Sequence, residues 1–278
     1  MLTCAPLCLL AGFWLLPISS QKVSGSLQPR ESSNQTIPLS MMENAVDDMY
    51  DGCMPKMEEM VREKYFKEET RPNSTFAKAW KKAESCAEKN HKDKKNDTDV
   101  ALTKNHMQAI CVYTGGHSRI YDVFNEAVRT NRTIYGTSFP FHSLHFWLTS
   151  AIQILNNNTC HVTYRRTNVT FTGSVNQTIR FGTFASSSLL TNLTRFGHET
   201  CFKIKTCLGA YLKDYPSLKK YEQEVLIPPY ETFIITGKTK RPVGSLKCRV
   251  VYFLEGVGWQ SNLNCSATGN SGHSRLAV

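Results

Sequence analysis

Two carboxylates lie two residues apart at the mouth of an apolar run, in Tyr221-Glu222-Gln223-Glu224-Val225-Leu226-Ile227-Pro228-Pro229-Tyr230. In a β-strand, positions i and i+2 point to one face, so this spacing predicts that Glu222 and Glu224 project into one space. Two like charges held that close are costly unless something uses them, such as a cation, a shared proton or a developing positive charge. An exposed strand end carrying two solvated acids is the other reading of the stretch.

Other reactive patterns are missing. No G-x-G-x-x-G follows a predicted strand, and Gly237-Lys238-Thr239 ends like a Walker A motif but has Thr232 where its leading glycine belongs. There is no G-x-S-x-G elbow. His142 and His145 are a helical turn apart among Phe141, Leu144, Phe146 and Trp147, which makes them packing residues. With no C-x-x-C pair and no histidine cluster, no metal is expected. The basic run at Lys92, Lys94 and Lys95 reads as a solvated loop, so no nucleic-acid partner is expected.

The elements that must position the two acids come from a 278-residue chain, 41% hydrophobic and 20% charged, with a formal charge of +10. That is enough for one domain with a sizeable core, and a basic balance permits anionic partners without naming one. Residues 1–20 read as a signal peptide, with an apolar core from Leu9 to Leu16. No second long apolar segment follows, so no transmembrane segment is expected. Residues 269–278 form a polar tail without the apolar character of a lipid-anchor signal. The expected mature protein is secreted and extracellular. Cys53, Cys86, Cys111, Cys160, Cys201, Cys207, Cys248 and Cys265 remain after the signal, an even number that suggests disulfides. Sequons at Asn34, Asn73, Asn96, Asn131, Asn157, Asn168, Asn176, Asn192 and Asn264 support an exported glycoprotein.

Residues 21–44 read as a flexible leader and 45–268 as a single domain. Helical periodicity is predicted from about Met41 to Tyr65, then over 74–89, 100–113, 119–129 and 141–155. The texture changes at Cys160. Strands are predicted over 161–164, 167–171, 178–184, 200–206, 224–236 and 248–255. Helices followed by strands, without a linker between them, indicate an α+β fold.

Three pieces of the strand half now stand in order: Tyr164-Arg165-Arg166, then Arg180-Phe181-Gly182-Thr183-Phe184-Ala185-Ser186-Ser187-Ser188-Leu189, then Glu222-Gln223-Glu224. This order resembles the Arg, Ser, Glu-x-Glu signature of the vertebrate ecto-mono-ADP-ribosyltransferases, the arginine-specific type. The likeness extends over roughly residues 45–265, through Asp47-Asp48-Met49-Tyr50-Asp51-Gly52-Cys53, Phe124-Asn125-Glu126-Ala127-Val128-Arg129 and Thr206-Cys207-Leu208-Gly209. The resemblance implies a helical N-terminal half packed on a mostly antiparallel β-sandwich core that binds NAD. It implies transfer of ADP-ribose from NAD, as co-substrate, to arginines of extracellular or cell-surface proteins.

The residue types suit that chemistry. By the resemblance, Arg165 holds the NAD pyrophosphate through its guanidinium fork. Glu224 binds the ribose and stabilises the oxocarbenium-like state formed as nicotinamide leaves. Ser186 orients Glu224, and Glu222 meets the acceptor guanidinium and takes its proton. Tyr113, Thr183, Phe196 and Ser217 match NAD-contacting positions, with Phe196 as the ring for nicotinamide. Residues 214–223, with Tyr215 and Tyr221, resemble the acceptor-recognition loop. Two positions depart from the pattern: Arg166 replaces the usual Gly, and Thr183 a common Gln. The resemblance further implies disulfides Cys53–Cys265 and Cys160–Cys207, the first closing a loop worth on the order of 4 kcal/mol. Location alone suggests Cys86–Cys111 and Cys201–Cys248. NAD hydrolysis with water as acceptor, and a catalytically silent binding protein of the same fold, are the alternatives; Arg166 is the residue that favours the second.

Overall fold

The computed structural model describes residues 36–94, 99–115, 119–217 and 221–269; the expected signal peptide, the first part of the leader and residues 270–278 lie outside them. In chain order the strands are β1 (Thr36–Pro38), β2 (His161–Thr167), β3 (Thr170–Thr172), β4 (Thr178–Arg180), β5 (Ala185–Ser188), β6 (Thr200–Thr206), β7 (Ala210–Tyr211), β8 (Glu224–Ile227), β9 (Glu231–Thr239) and β10 (Val250–Trp259). The helices are α1 (Met54–Met60), α2 (Phe66–Glu69), α3 (Thr75–Lys82), α4 (Glu84–Lys92), α5 (Lys104–Thr114), α6 (Ile120–Thr130) and α7 (His142–Asn156).

The chain joins the fold earlier than the leader assignment over 21–44 implies. β1 pairs in parallel with β3, Leu39 is buried, and Gln177 donates to the Leu39 carbonyl at 2.6 Å. Nor does a helix start near Met41. Asp47 and Asp48 are both buried and bind backbone N–H groups instead: Asp48 accepts from nearby Tyr50 and from distant Cys265, and Asp47 from distant Asn262 and Leu263. The Asp48 bond to Tyr50 N is the local kind that competes with helical hydrogen bonding. The helix begins at Met54, with Pro55 in its first turn where a missing N–H costs nothing. It passes through a π-helical turn at Val61–Tyr65 into α2.

The predicted helix over 74–89 is two helices that break at Ala83. Ser74 caps α3 by accepting from Ala77, and Thr103 and His106 form a capping box on α5. α7 is buried on nearly all sides, as its mostly apolar sequence demands. Its Trp147 stacks on Trp80 with centroids 4.9 Å apart. His142 and His145 are packing residues, as their neighbours suggested. His145 sits between the Tyr50 hydroxyl (2.7 Å) and the Val46 carbonyl (3.1 Å), and burial pushes its pKa down to about 3.

Eight strands form one sheet in the order β4-β9-β10-β6-β2-β5-β8-β7, antiparallel except where β10 meets β6. The predicted strand over 224–236 is two, divided at Pro228–Tyr230, where two prolines cannot donate to a ladder. Glu231 then closes the turn after β6, accepting from Thr206 Oγ1, Cys207 N and Leu208 N at 2.5–3.0 Å. β2 and β5 share a single pair, Tyr164 with Ser188. The sheet is thus nearly divided into a five-strand part and a three-strand part, and the division opens a cleft. All four disulfides anticipated from the resemblance or from location are formed: Cys53–Cys265, Cys86–Cys111, Cys160–Cys207 and Cys201–Cys248.

Arg180, at the end of β4, is buried and pairs with buried Asp47 at 2.5 Å. It also donates to the carbonyls of Met41 and Gln260, both at 2.7 Å, so one guanidinium joins the start of the domain to its end. Removing one member of such a pair leaves the other charge buried alone. Arg180→Leu is expected to lower the unfolding free energy by about 3–5 kcal/mol in denaturant titration; a loss below about 1 kcal/mol would show that the pair is dispensable.

Candidate active site

The near-division between β2 and β5 is where the singled-out residues collect. A cavity of about 240 Å³ there is lined by Arg165, Ser186, Glu222, Glu224 and Phe196, together with Leu190, Leu193 and the neighbouring strand residues. Arg165 lies one step past the Tyr164–Ser188 pair, and its Nη1 donates across the cleft to the Ser186 carbonyl at 2.5 Å.

Register explains the Ser186–Glu224 contact. Glu224 pairs with Ser188 and Leu226 with Ser186, so Ser186 and Glu224 are diagonal neighbours on one face of the β5–β8 ladder. The Ser186 hydroxyl hydrogen-bonds the Glu224 carboxylate and also lies in hydrogen-bonding reach of the Tyr113 hydroxyl. Glu224 is only 5% exposed. Burial pushes its pKa up to about 7; Ser186 and Arg165 oppose that rise, and the Glu222 charge adds to it.

Glu222 reaches the same cavity by another route than strand alternation. β8 begins only at Glu224, and Gln223 is in the left-handed region at φ +43°. The expectation that both acids share a strand face is therefore corrected: a turn at Gln223 delivers Glu222 to the rim, while the strand holds Glu224 inside. The turn is secured by the Ser188 hydroxyl, which donates to the Glu222 carbonyl, and by Leu189 N, which donates to the Gln223 carbonyl at 3.1 Å. The Glu222 carboxylate is ion-paired with Arg195.

The remaining candidates divide. Phe196 is 46% exposed at the cavity. Thr183 lines an adjoining groove with Arg119, Arg129 and Arg165. Tyr113 does not reach the cavity: it is buried behind Ser186, donating to the Phe184 carbonyl at 2.7 Å and accepting from Asn125 at 3.1 Å. Ser217 is held away as well, donating to the Cys111 carbonyl at 3.2 Å. In the 214–223 segment, Tyr215 is buried with its hydroxyl on Asp99 at 2.5 Å, whereas Tyr221 stands 77% exposed beside Glu222. Tyr113 is enclosed by the rings of Tyr121, Phe124 and Phe184, a consequence of packing that no local pattern announced.

Arg166 also lines the cavity, but its guanidinium is tied to backbone carbonyls. Strand alternation sends it opposite Arg165, where it is buried and donates to the carbonyls of Thr191 (2.9 Å) and Ser245 (2.8 Å). The substitution that favoured a silent protein is a structural tether for the segment that carries Leu193 and Phe196. Arg195 is the site residue that sequence reasoning missed; its charge complement to Glu222 is the signal, and only the fold brings the two together.

A buried carboxylate, a serine beside it, an arginine and a rim carboxylate therefore share one cleft. Residues 39–246 match the family model described as NAD:arginine ADP-ribosyltransferase. The chain is 35% identical to mouse ecto-ADP-ribosyltransferase 4, covering 82% of this chain and 76% of that protein. It is 32% identical to the chicken erythroblast NAD(P)(+)--arginine ADP-ribosyltransferase, covering 81% and 76%. The crystal structure of a mutant of the eukaryotic mono-ADP-ribosyltransferase ART2.2 in complex with NADH superposes with a TM-score of 0.68 at 32% identity, covering 82% of this chain and 98% of that one. The chain belongs to the NAD:arginine ADP-ribosyltransferase family, with NAD as its co-substrate.

Proposed function

We propose that this cavity transfers ADP-ribose from NAD to the guanidinium of an arginine side chain, with Glu224 acting at the ribose and Glu222 at the acceptor. The observation that carries the division is their unequal placement: Glu224 is buried on Ser186, and Glu222 stands at the rim on a guanidinium. Arg165 presents its fork to the pyrophosphate, and Phe196 offers a ring to nicotinamide. As the bond from C1′ to the nicotinamide nitrogen breaks, the leaving nicotinamide takes the electron pair. The positive charge left on the ribose faces the Glu224 carboxylate. The acceptor nitrogen attacks C1′ and gives its proton to Glu222.

Incubating the purified mature protein with labelled NAD and agmatine tests the reading. ADP-ribosyl-agmatine and nicotinamide are the expected products. Free ADP-ribose alone would identify a glycohydrolase, and no NAD turnover by a folded protein would identify a silent one.

Glu224 must be ionised to stabilise a cation, and in the free enzyme its pKa is about 7. The kcat/KM for NAD is therefore expected to rise with pH through a midpoint near 7. A profile already flat from pH 5 upward contradicts that assignment.

The partners are NAD and arginine-bearing proteins outside the cell or on its surface. Among the described residues no helix is long and apolar enough to cross a membrane. Asn73, Asn157, Asn168, Asn176 and Asn192 are exposed, consistent with a glycosylated extracellular enzyme. Recovery of the glycoprotein from culture medium is expected; retention on cells with release by a phospholipase would replace secretion with a lipid anchor.

A further inference from the structure

No Asp or Glu occurs between Glu231 and Glu255, the stretch that forms β9, the loop after it and half of β10. Strand β6, beside β10, carries Lys203 and Lys205 and no acid. Phe202 and Ile204 of β6 enter the core shared with Phe233 and Tyr252, so strand alternation turns Lys203 and Lys205 to the opposite face of the sheet. The loop over 240–249 folds onto that same face. Its Leu246 and Cys248 pack with Cys201 and Val251 and against Tyr164, and Tyr164 is the cross-strand partner of Lys203. The Cys201–Cys248 disulfide, the Val243–Leu246 bridge and Arg166 on the Ser245 carbonyl hold the loop there. Lys240, Arg241, Lys247 and Arg249 are exposed on it.

Lys203, Lys205 and these four loop cations therefore share one face, and few acids adjoin them. Glu255 is the cross-strand partner of Lys205, and Glu199 lies 3.4 Å from Arg249. Among the described residues Lys203, Lys205, Lys240, Arg241 and Lys247 enter no ion pair. In the β6–β10 register Lys205 pairs with Glu255 and Thr200 with Val250, so the row from Lys205 to Arg249 is about 20 Å long. A row of like charges on a rigid support, left unneutralised by the fold, raises the local concentration of anions.

We propose that this face binds a sulfated glycosaminoglycan of the cell surface or extracellular matrix, laid along β6 and the 240–249 loop. A linear chain with sulfates at regular intervals meets the whole row, whereas a compact anion meets one or two of its cations. The loop's own apolar residues argue against a bilayer. Leu246 is buried and Val243 is packed inward, which leaves no apolar wedge to insert. Such binding would retain a secreted enzyme at cell surfaces without a lipid anchor.

The test compares salt elution of the purified mature protein from immobilised heparin and from a sulfonate exchanger of equal charge capacity, with the Kd of a heparin oligosaccharide measured over a range of NaCl. Later elution from heparin is expected. Lys203→Gln with Lys205→Gln, and Lys247→Gln with Arg249→Gln, are each expected to weaken binding about tenfold at physiological salt, and to lower the slope of log Kd against log salt by about 1 per cation removed. Lys81→Gln with Lys82→Gln removes the same charge from α3 and is expected to leave the Kd within about twofold. Should a pair variant fail to fold, Lys240→Gln with Arg241→Gln, both on the exposed turn, carries the same expected loss. Equal elution from the two columns, equal weakening by the α3 pair, or undiminished binding of desulfated heparin overturns the inference. So does tighter binding to phosphatidylserine vesicles than to the oligosaccharide, which would assign the face to a membrane. None of these outcomes touches the transfer reading, which rests on the cavity.

Discussion

Glu224→Gln is expected to lower NAD cleavage about a thousandfold, which is roughly 4 kcal/mol of transition-state stabilisation. The amide has the shape of the acid and keeps a hydrogen bond to Ser186, but it offers no charge to a ribose cation. Transfer and hydrolysis pass through the same cation, so both products fall together. Nicotinamide release in single-turnover reactions measures the loss, and a folded variant with turnover near the original would remove Glu224 from the chemistry. A second readout has the opposite sign. Burial raises the folded-state pKa of Glu224 from 4.5 to about 7. The folded protein therefore binds more protons than the unfolded one across that interval, and stability declines as pH rises through it. Replacing the acid with the neutral amide removes this cost, by up to about 3 kcal/mol above pH 7. Glu224→Gln is thus expected to melt higher than the original sequence at pH 8 and nearly level with it at pH 4. An active-site group that stabilises the fold when neutralised is one that function retains against stability.

Glu222→Gln separates the two acids. It retains the shape at the rim and loses both the attraction for a guanidinium and the proton acceptor. Transfer to agmatine is expected to fall at least about a hundredfold, roughly 2.7 kcal/mol, while NAD hydrolysis stays within about threefold. Water needs no carboxylate to bring it to the rim, and the ribose cation is still met by Glu224. The two products are quantified from one reaction by chromatography. Equal loss of both would mean that the carboxylates act as one unit. The turn at Gln223 separates them, because Glu222 and Glu224 are held by different hydrogen bonds: one through the Ser188 hydroxyl on its carbonyl, the other through Ser186 on its carboxylate.

Much of this was legible in the chain. Apolar periodicity located α6 and α7 to within a residue at each end, and β6 was read without error, because long regular stretches carry their own pattern. The ordered Arg165, Ser186 and Glu224 identified the family, since a site built on three strands leaves three short motifs at fixed order. Eight cysteines in an exported chain foretold a fully paired set.

Tertiary structure decided the rest, wherever a residue's neighbours are distant in sequence. Met41–Cys53 carries helical spacing but is coil, because Asp47 and Asp48 bind backbone N–H groups of residues 262–265, more than two hundred positions away. Tyr113 carries the chemistry of a ligand contact and is buried behind Ser186 against Phe124 and Phe184. Arg166 read as an obstruction, and strand alternation turned it into a tether. Arg195 has no motif at all; its meaning comes from a charge 27 positions on, brought against it by the fold. Local sequence fixes which groups a strand can present and to which face. Only long-range packing fixes which of them meet, because the free energy that places a side chain in a cleft is spread over the whole core.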